Sequence, residues 1–178
     1  MTGKLRSFLT AGALLAIPAL VYASGPNVVQ PVSLEQKVLH AINMLPYYGV
    51  FDDLSFRVDG NKVTLFGEVA RPVLKSDAES AVKHIEGVGA VENQIEILPL
   101  SQFDNQIRMR AYRAIFGFGG LSRYSMGTHP SIHIIVKNGN MTLVGVVANS
   151  MDRQLAYMQA NGVPGVFSVT NELRVEKN

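Results

Sequence analysis

The chain contains no cysteine among its 178 residues. This absence excludes a disulfide framework, a thiolate metal site and the acylated N-terminal cysteine of a lipoprotein. Stability must therefore come from the apolar core. Export without cysteine fits a bacterial periplasm better than a disulfide-rich secreted scaffold.

The sequence also lacks a hydrophobic run long enough to cross a membrane. The apolar stretch from Phe8 to Val21 has about 14 residues, whereas a spanning helix needs about 20. A basic segment precedes it and small residues follow it, which is typical of a secretory signal. We expect residues 1–23 to be a signal peptide cleaved after Ala23 into the periplasm, followed by a linker over 24–32. Retention of the segment as an anchor is the alternative.

Residue groups that carry chemistry are scarce. The spacing suggests no Ser/His/Asp grouping, and His129 and His133 lack an evident third metal ligand. The run Gly117-Phe118-Gly119-Gly120 matches the GXXG loop of RNA-binding KH domains, but an exported protein does not meet RNA. The sequence therefore predicts a protein that is not an enzyme, with no cofactor, no metal and no nucleic-acid partner.

What the chain does contain is one pattern twice. Val63-Thr64-Leu65-Phe66-Gly67 returns 78 residues later as Met141-Thr142-Leu143-Val144-Gly145, and Gly87-Val88 returns at the same offset as Gly165-Val166. Constant spacing over more than 30 residues indicates two copies of one small fold. The first helices align at an offset of 73 instead, which places five extra residues of the second copy within Gly117–Pro130.

Each copy shows the order αββαβ. In the first copy Ser33 and Gln36 form a capping box before a helix with apolar residues at helical spacing. The turn Asp59-Gly60-Asn61 separates two alternating strands, Pro72 lies near the start of a second helix, and Val91 to Ile97 alternate as a last strand. The predicted fold class is α+β, with two tandem domains over 33–100 and 101–178. Each has a three-stranded mixed sheet with both helices on one face.

The two domains carry opposite charge. Residues 33–100 have six Lys/Arg and ten Asp/Glu, a net charge of −4, and residues 101–178 have eight and four, a net charge of +4. The basic domain is the candidate for an anionic partner. Mutual attraction between the two halves is the alternative explanation.

The second sheet is also expected to have an apolar open face, formed by Ile135, Thr142, Val144 and Val146. Such a face needs a cover, and the first domain is the nearest one. Where it is uncovered, the face would suit a protein partner in the envelope, as a binding or holdase-like module.

The repeated pattern resembles a known family. Val58-Asp59-Gly60-Asn61-Lys62-Val63-Thr64-Leu65-Phe66-Gly67 followed by Gly87-Val88 and Asn93 is similar to the BON domain (bacterial OsmY and nodulation), and the second copy is similar to another. The resemblance implies an αββαβ fold, a periplasmic and non-enzymatic role, and an association with envelope integrity and osmotic stress. Phospholipid binding is attributed to the second domain in a lipoprotein relative, whose acylated cysteine this chain lacks.

The first helix of the basic domain is the candidate binding element. On a helical projection one stripe matches the core of the first copy, and a second apolar stripe holds Met109, Tyr112 and Phe116 with arginines beside it. Arginine beside exposed aromatics favours reversible binding to an anionic phospholipid surface. The alternative is that the second stripe packs on the first domain. The predicted lipid-binding residues, including the following loop, are Arg108, Met109, Arg110, Tyr112, Arg113, Phe116, Leu121, Arg123 and Tyr124.

Overall fold

The computed structural model describes residues 32–117, 119–127 and 129–176. The predicted signal peptide, its cleavage site and all of the linker except Val32 lie outside these residues. None of the helices in the described part is long and apolar enough to span a bilayer.

The first domain begins with helix α1 (Leu34–Asn43), whose capping box is confirmed because Ser33 and Gln36 exchange both hydrogen bonds. Strands β1 (Asp53–Asp59) and β2 (Lys62–Val69) form an antiparallel hairpin. Helix α2 (Pro72–Lys83) has proline in its first turn, and it leads to β3 (Ala90–Asn93) and β4 (Glu96–Ile97). Both of these strands pair parallel with β2.

The predicted single last strand of this domain is thus interrupted. The interruption is local, since Gln94 N still donates to Leu65 O at 2.7 Å. The register with β2 is the same on both sides, with Lys62 opposite Ala90 and Glu68 opposite Glu96. The direction and position of the predicted strand are therefore correct, although the ladder is broken.

The second domain repeats the order. It contains α3 (Gln102–Phe116), a short 3₁₀ helix (Ser122–Ser125), the hairpin of β5 (Ile132–Lys137) and β6 (Asn140–Val147), helix α4 (Ser150–Asn161) and β7 (Ser168–Val175). The strand order is β5-β6-β7, and β7 pairs parallel with β6. The α+β class and the two αββαβ domains are confirmed.

The repeat extends to backbone geometry. Gly67 and Gly145 have φ of 120° and 127°, and a Cβ added to either would lie 2.2 Å from Asp53 O or 2.1 Å from Ser131 O. Only glycine fits such a close approach at positive φ. The two strand pairs therefore need glycine at the same place for the same reason.

Each domain also ties its second helix to its last strand through an asparagine. Asn93 Nδ2 donates to Lys75 O at 2.8 Å, and Asn171 Nδ2 donates to Arg153 O at 3.1 Å. The amide oxygens accept from Ile95 N and Leu173 N, both at 3.2 Å. These asparagines therefore make the same structural contacts in both domains.

Each half has its own apolar core, and residues 32–178 form one compact unit. Val50 and Phe51 of the first domain pack against the core of the second. Ile134 N on the edge strand β5 donates to Val50 O at 2.7 Å. The segment before β1 therefore covers part of the outer edge of the second sheet.

The open face of the second sheet is only partly covered. Ile135 is buried at 3% exposure, whereas Val146 remains 38% exposed. Lys137 Nζ lies 2.5 Å from Glu96 and 3.6 Å from Glu68 of the first domain. Opposite charges of the two domains thus meet where the domains contact each other, a region called the seam below. The alternative explanation of the charge distribution predicted such contacts.

Candidate functional site

Helix α3 positions the candidate surface. Ser101 caps it by accepting from Asp104 N at 3.1 Å. Ile107, Ala111 and Ile115 are fully buried against the second sheet. The opposite side of the helix faces solvent.

The nine predicted residues divide into two groups. Five are exposed: Met109, Arg110, Tyr112, Arg113 and Arg123. The other four, which were expected near the surface, are buried: Arg108, Phe116, Leu121 and Tyr124. The prediction of an accessible position is wrong for these four.

Arg108 is buried because its guanidinium is used inside the domain. Its terminal nitrogens donate to Val136 O at 2.6 Å and to Asn105 Oδ1 at 2.5 Å. Burial lowers the pKa of Arg108, while Asp104 and Asp52 oppose that change. The side chain fastens α3 to β5 and does not reach a ligand at the surface.

The two aromatic residues of the predicted outer stripe lie at the seam. Phe116 is only 6% exposed and belongs to the core of the second domain. The Tyr112 ring lies 5.0 Å from that of Phe116 and 6.3 Å from that of Phe51 in the first domain. The alternative, packing on the first domain, therefore describes Tyr112, whereas Phe116 packs in the core of its own domain.

The inserted loop closes on its own domain. Leu121 is fully buried. Tyr124 Oη donates to Asp152 Oδ2 at 2.6 Å and accepts from Ala148 N at 2.9 Å. Arg123 also donates to Asp152, at 2.5 Å. Of this loop's predicted residues, only Arg123 is therefore left exposed.

The remaining exposed residues of α3 line a shallow groove of about 490 Å³. Met109 is 45% exposed, and Arg110 donates to Pro164 O at 3.1 Å. The groove is lined by Gln102, Asn105, Gln106, Met109, Arg110 and Arg113. It combines an apolar side chain with two cationic ones and contains no carboxylate.

Two exposed aromatics beside this groove were missed. Phe103 and Phe167 are 45% and 75% exposed, with ring centroids 6.0 Å apart. The first domain has Gly89 at the position of Phe167, because the offset is 78. A position-by-position comparison of the two copies would have found Phe167.

The two histidines with metal-like spacing lie at the seam. The ring of Tyr48 stacks on His133 at 5.6 Å and is tilted toward His129 at 6.0 Å. His133 Nδ1 lies 3.2 Å from Gly49 O. Both histidine rings therefore pack against Tyr48. No group of three metal-ligating side chains occurs among the described residues.

Comparison with solved structures finds two of a structural protein of the type III secretion system of Chlamydia trachomatis, CdsD. Its C-terminal domain is 12% identical, with a TM-score of 0.33, 84% of this chain covered and 100% of that one. A second CdsD structure is 13% identical, with a TM-score of 0.30, 81% of this chain covered and 93% of that one. No curated protein sequence matches the chain.

The family comparison matches the BON domain at residues 33–99 and 124–177. The second match begins after α3, although α3 packs in the core of the second domain. The two matches cover more than half of the sequence, and the chain therefore belongs to the BON domain family, whose members are generally non-enzymatic and associated with the cell envelope.

Proposed function

We propose that this protein binds anionic phospholipid surfaces weakly and reversibly through the exposed side of α3, and so supports envelope integrity or osmotic stress tolerance in the periplasm. The observation that carries the proposal is the groove of α3, where Arg110 and Arg113 flank the exposed Met109. Cations beside apolar side chains suit the headgroup region of an anionic membrane.

The apolar part of this surface differs from the one expected from sequence. Phe116 is buried and Tyr112 lies against the first domain. Phe103 and Phe167 take their place, since both are exposed and their rings lie 6.0 Å apart. Phe103 is also close to Arg110, because a Cβ added at Gly165 would lie 3.4 Å from the Phe103 ring and 3.6 Å from the Arg110 guanidinium. The proposal therefore rests on Phe103, Met109, Arg110, Arg113 and Phe167.

The expected affinity is modest. Two arginines near an anionic surface contribute about 2 kcal/mol in total, and three partly inserted apolar side chains contribute about 1–2 kcal/mol each. The gross total of about 5–8 kcal/mol sets roughly micromolar as the tightest affinity. Salt weakens the arginine part because it screens exposed charges.

Vesicle flotation tests this proposal with residues 24–178, which lack the apolar N-terminal stretch and contain the compact unit from Val32 onward. We expect association with vesicles containing phosphatidylglycerol and not with pure phosphatidylcholine. Arg110→Glu with Arg113→Glu should abolish it. The matched control is Lys37→Glu with Lys83→Glu, which makes the same charge change on the helices of the first domain and should leave much of the association intact.

Two results would reject the proposal. One is equal association with neutral and anionic vesicles. The other is an equal loss in the two charge-reversed variants, because a general effect of net charge would then explain the binding.

A second candidate function uses the sheet instead of the helices. A groove of about 640 Å³ lies beside the C-terminal half of β7, lined by Val146, Leu173 and Val175 among others. Val146 is 38% exposed there, so a protein partner in the envelope could dock on it. This candidate predicts saturable protein binding that Val146→Glu removes while vesicle association is unchanged.

A further inference from the structure

Helix α4 of the second domain also exposes apolar side chains. Met151 and Met158 on α4 are 77% and 59% exposed. They are seven positions apart in sequence, so they lie on one side of the helix, with half-buried Leu155 between them. An exposed apolar stripe of this kind is not explained by the core of the domain.

This stripe lies on the side of α4 that is turned away from β7. Arg153, on the other side of α4, lines the groove beside β7. Met151 and Met158 are two and five residues away from Arg153, which places them on the side of α4 opposite the β7 groove. The loop after α4 is held to α3 by the bond from Arg110 to Pro164 O. The exposed apolar side chains of α3 and those of α4 therefore belong to one layer of two adjacent helices.

The charges on these two helices are unusual. They contain two carboxylates, Asp104 and Asp152, and both are buried at 0% and 8% exposure. The other two acidic residues of the domain, Glu172 and Glu176, lie on or after β7. The solvent side of α3 and α4 thus presents arginine, methionine and phenylalanine without an accessible carboxylate.

The first domain provides an internal control. At the offset of 78, its α2 has Val73, Asp77, Glu79 and Ser80 where α4 has Met151, Leu155, Tyr157 and Met158. The scaffold is therefore compatible with a charged helix surface at these positions. The loss of both carboxylates in the second domain is a property of its surface and not a requirement of its fold.

We propose that the membrane-binding surface of this protein is the whole helical layer of the second domain, formed by α3 and α4 together. The domain then lies with both helices along the membrane surface, and Met151 and Met158 enter the headgroup boundary while the sheet faces away. This inference rests on the proposed lipid binding and adds its geometry. The occupant is an anionic bilayer because the charged side chains exposed on this layer are all cationic and lie beside exposed apolar ones.

Because the chain has no cysteine, single cysteine variants can each carry one environment-sensitive fluorophore. We expect the emission of probes at Met109, Met151 and Met158 to shift to the blue when vesicles with phosphatidylglycerol are added. Probes at Ser80, the counterpart of Met158 in the first domain, and at Thr170 on the sheet should not shift.

The outcomes separate this inference from the proposed function. A shift at Met109 without a shift at Met151 and Met158 would overturn the two-helix geometry and leave binding by α3 intact. No shift at any position would reject lipid binding itself. A shift at Thr170 together with Met158 would also overturn the stated orientation.

A second measurement does not depend on a label. Met151→Gln with Met158→Gln should weaken association with the vesicles about 30-fold or more, since two apolar side chains lose their contact with the acyl boundary. Val73→Gln with Ser80→Gln at the matched positions of α2 should not change it. Equal flotation of the methionine variant and the wild type would overturn the inference.

Discussion

The two domains use the same connection, from the first helix to the hairpin, in different ways. In the first domain this segment reaches across the seam, where Tyr48 stacks on His133 and Val50 pairs with the edge strand β5. In the second domain the longer segment turns back on its own helix α4, where Tyr124 bonds to Asp152. The insertion, which is rich in glycine and aromatic residues, thus packs mainly against its own domain.

The helical surfaces of the two domains differ in their exposed side chains. The first domain has a mixed surface, with Glu35, Lys75 and Glu86 among its charges, whereas the second buries its two helical carboxylates and exposes methionine and phenylalanine. The glycines and asparagines that shape the fold have the same contacts in both copies. Divergence after duplication has therefore changed the surface and the connections while keeping the scaffold.

The largest effect is expected where the two domains are most alike. Gly67→Ala and Gly145→Ala should each cost about 2–6 kcal/mol of stability, because a Cβ would meet a backbone oxygen at positive φ. Urea unfolding monitored by circular dichroism measures both. Similar losses in the two variants would show that the two hairpins are equivalent parts of one scaffold.

The control for this pair is Gly60→Ala. Gly60 has φ of 60°, but no atom lies within 4 Å of the added Cβ. We expect a loss of only about 1–2 kcal/mol. If Gly145→Ala cost no more than Gly60→Ala, the close approach in the second hairpin would not matter and the comparison of the two domains would fail.

The next effect concerns the connection of the first domain. Burial raises the pKa of Tyr48 from 10.0 to about 12, and the charge of Asp53 adds to the rise. The unfolded chain therefore loses the phenol proton near pH 10 while the folded protein keeps it. Stability must then fall as the pH rises through this window.

Tyr48→Phe removes this dependence. Between pH 9 and 12 the wild type should lose about 2–3 kcal/mol more stability than the variant, since each tenfold difference in proton affinity is worth about 1.4 kcal/mol. Denaturant titrations of both proteins at the two pH values measure the difference. Equal losses would mean that the seam does not bury Tyr48.

Much of the scaffold could be predicted because its signals are local. The capping box at Ser33, the glycine turns and the constant offset between the copies each depend on residues close in sequence, and all three reappear in the structure. The constant offset also means that the two parallel strand pairs have the same register, since Lys62 is opposite Ala90 and Asn140 is opposite Ser168. Tertiary packing did not have to be known for these features.

The candidate surface was harder to predict. A helical projection shows the direction in which a side chain leaves the helix, but it does not show which other segment packs against that side chain. Arg108 and Phe116 lie off the core stripe of α3, yet a carbonyl of β5 accepts a hydrogen bond from Arg108 and the core of the second domain includes Phe116. Phe103 and Phe167 become neighbours only after the chain folds. Contacts between distant segments decided both the errors and the omissions.

The smallest effect is expected in the connection of the second domain. Tyr124→Phe removes one buried hydroxyl that serves both Ala148 N and Asp152. The loss should be about 1–3 kcal/mol, because a buried donor or acceptor left without its partner keeps its desolvation cost. Tyr47→Phe is the control, since Tyr47 is 66% exposed and a surface change of this kind stays within about 0.5 kcal/mol.

Flotation with anionic vesicles should be unchanged in Tyr124→Phe, because the inserted loop packs on its own domain and Tyr124 does not reach the membrane. A variant that kept its stability but lost vesicle binding would reverse this assignment and return the loop to the binding surface.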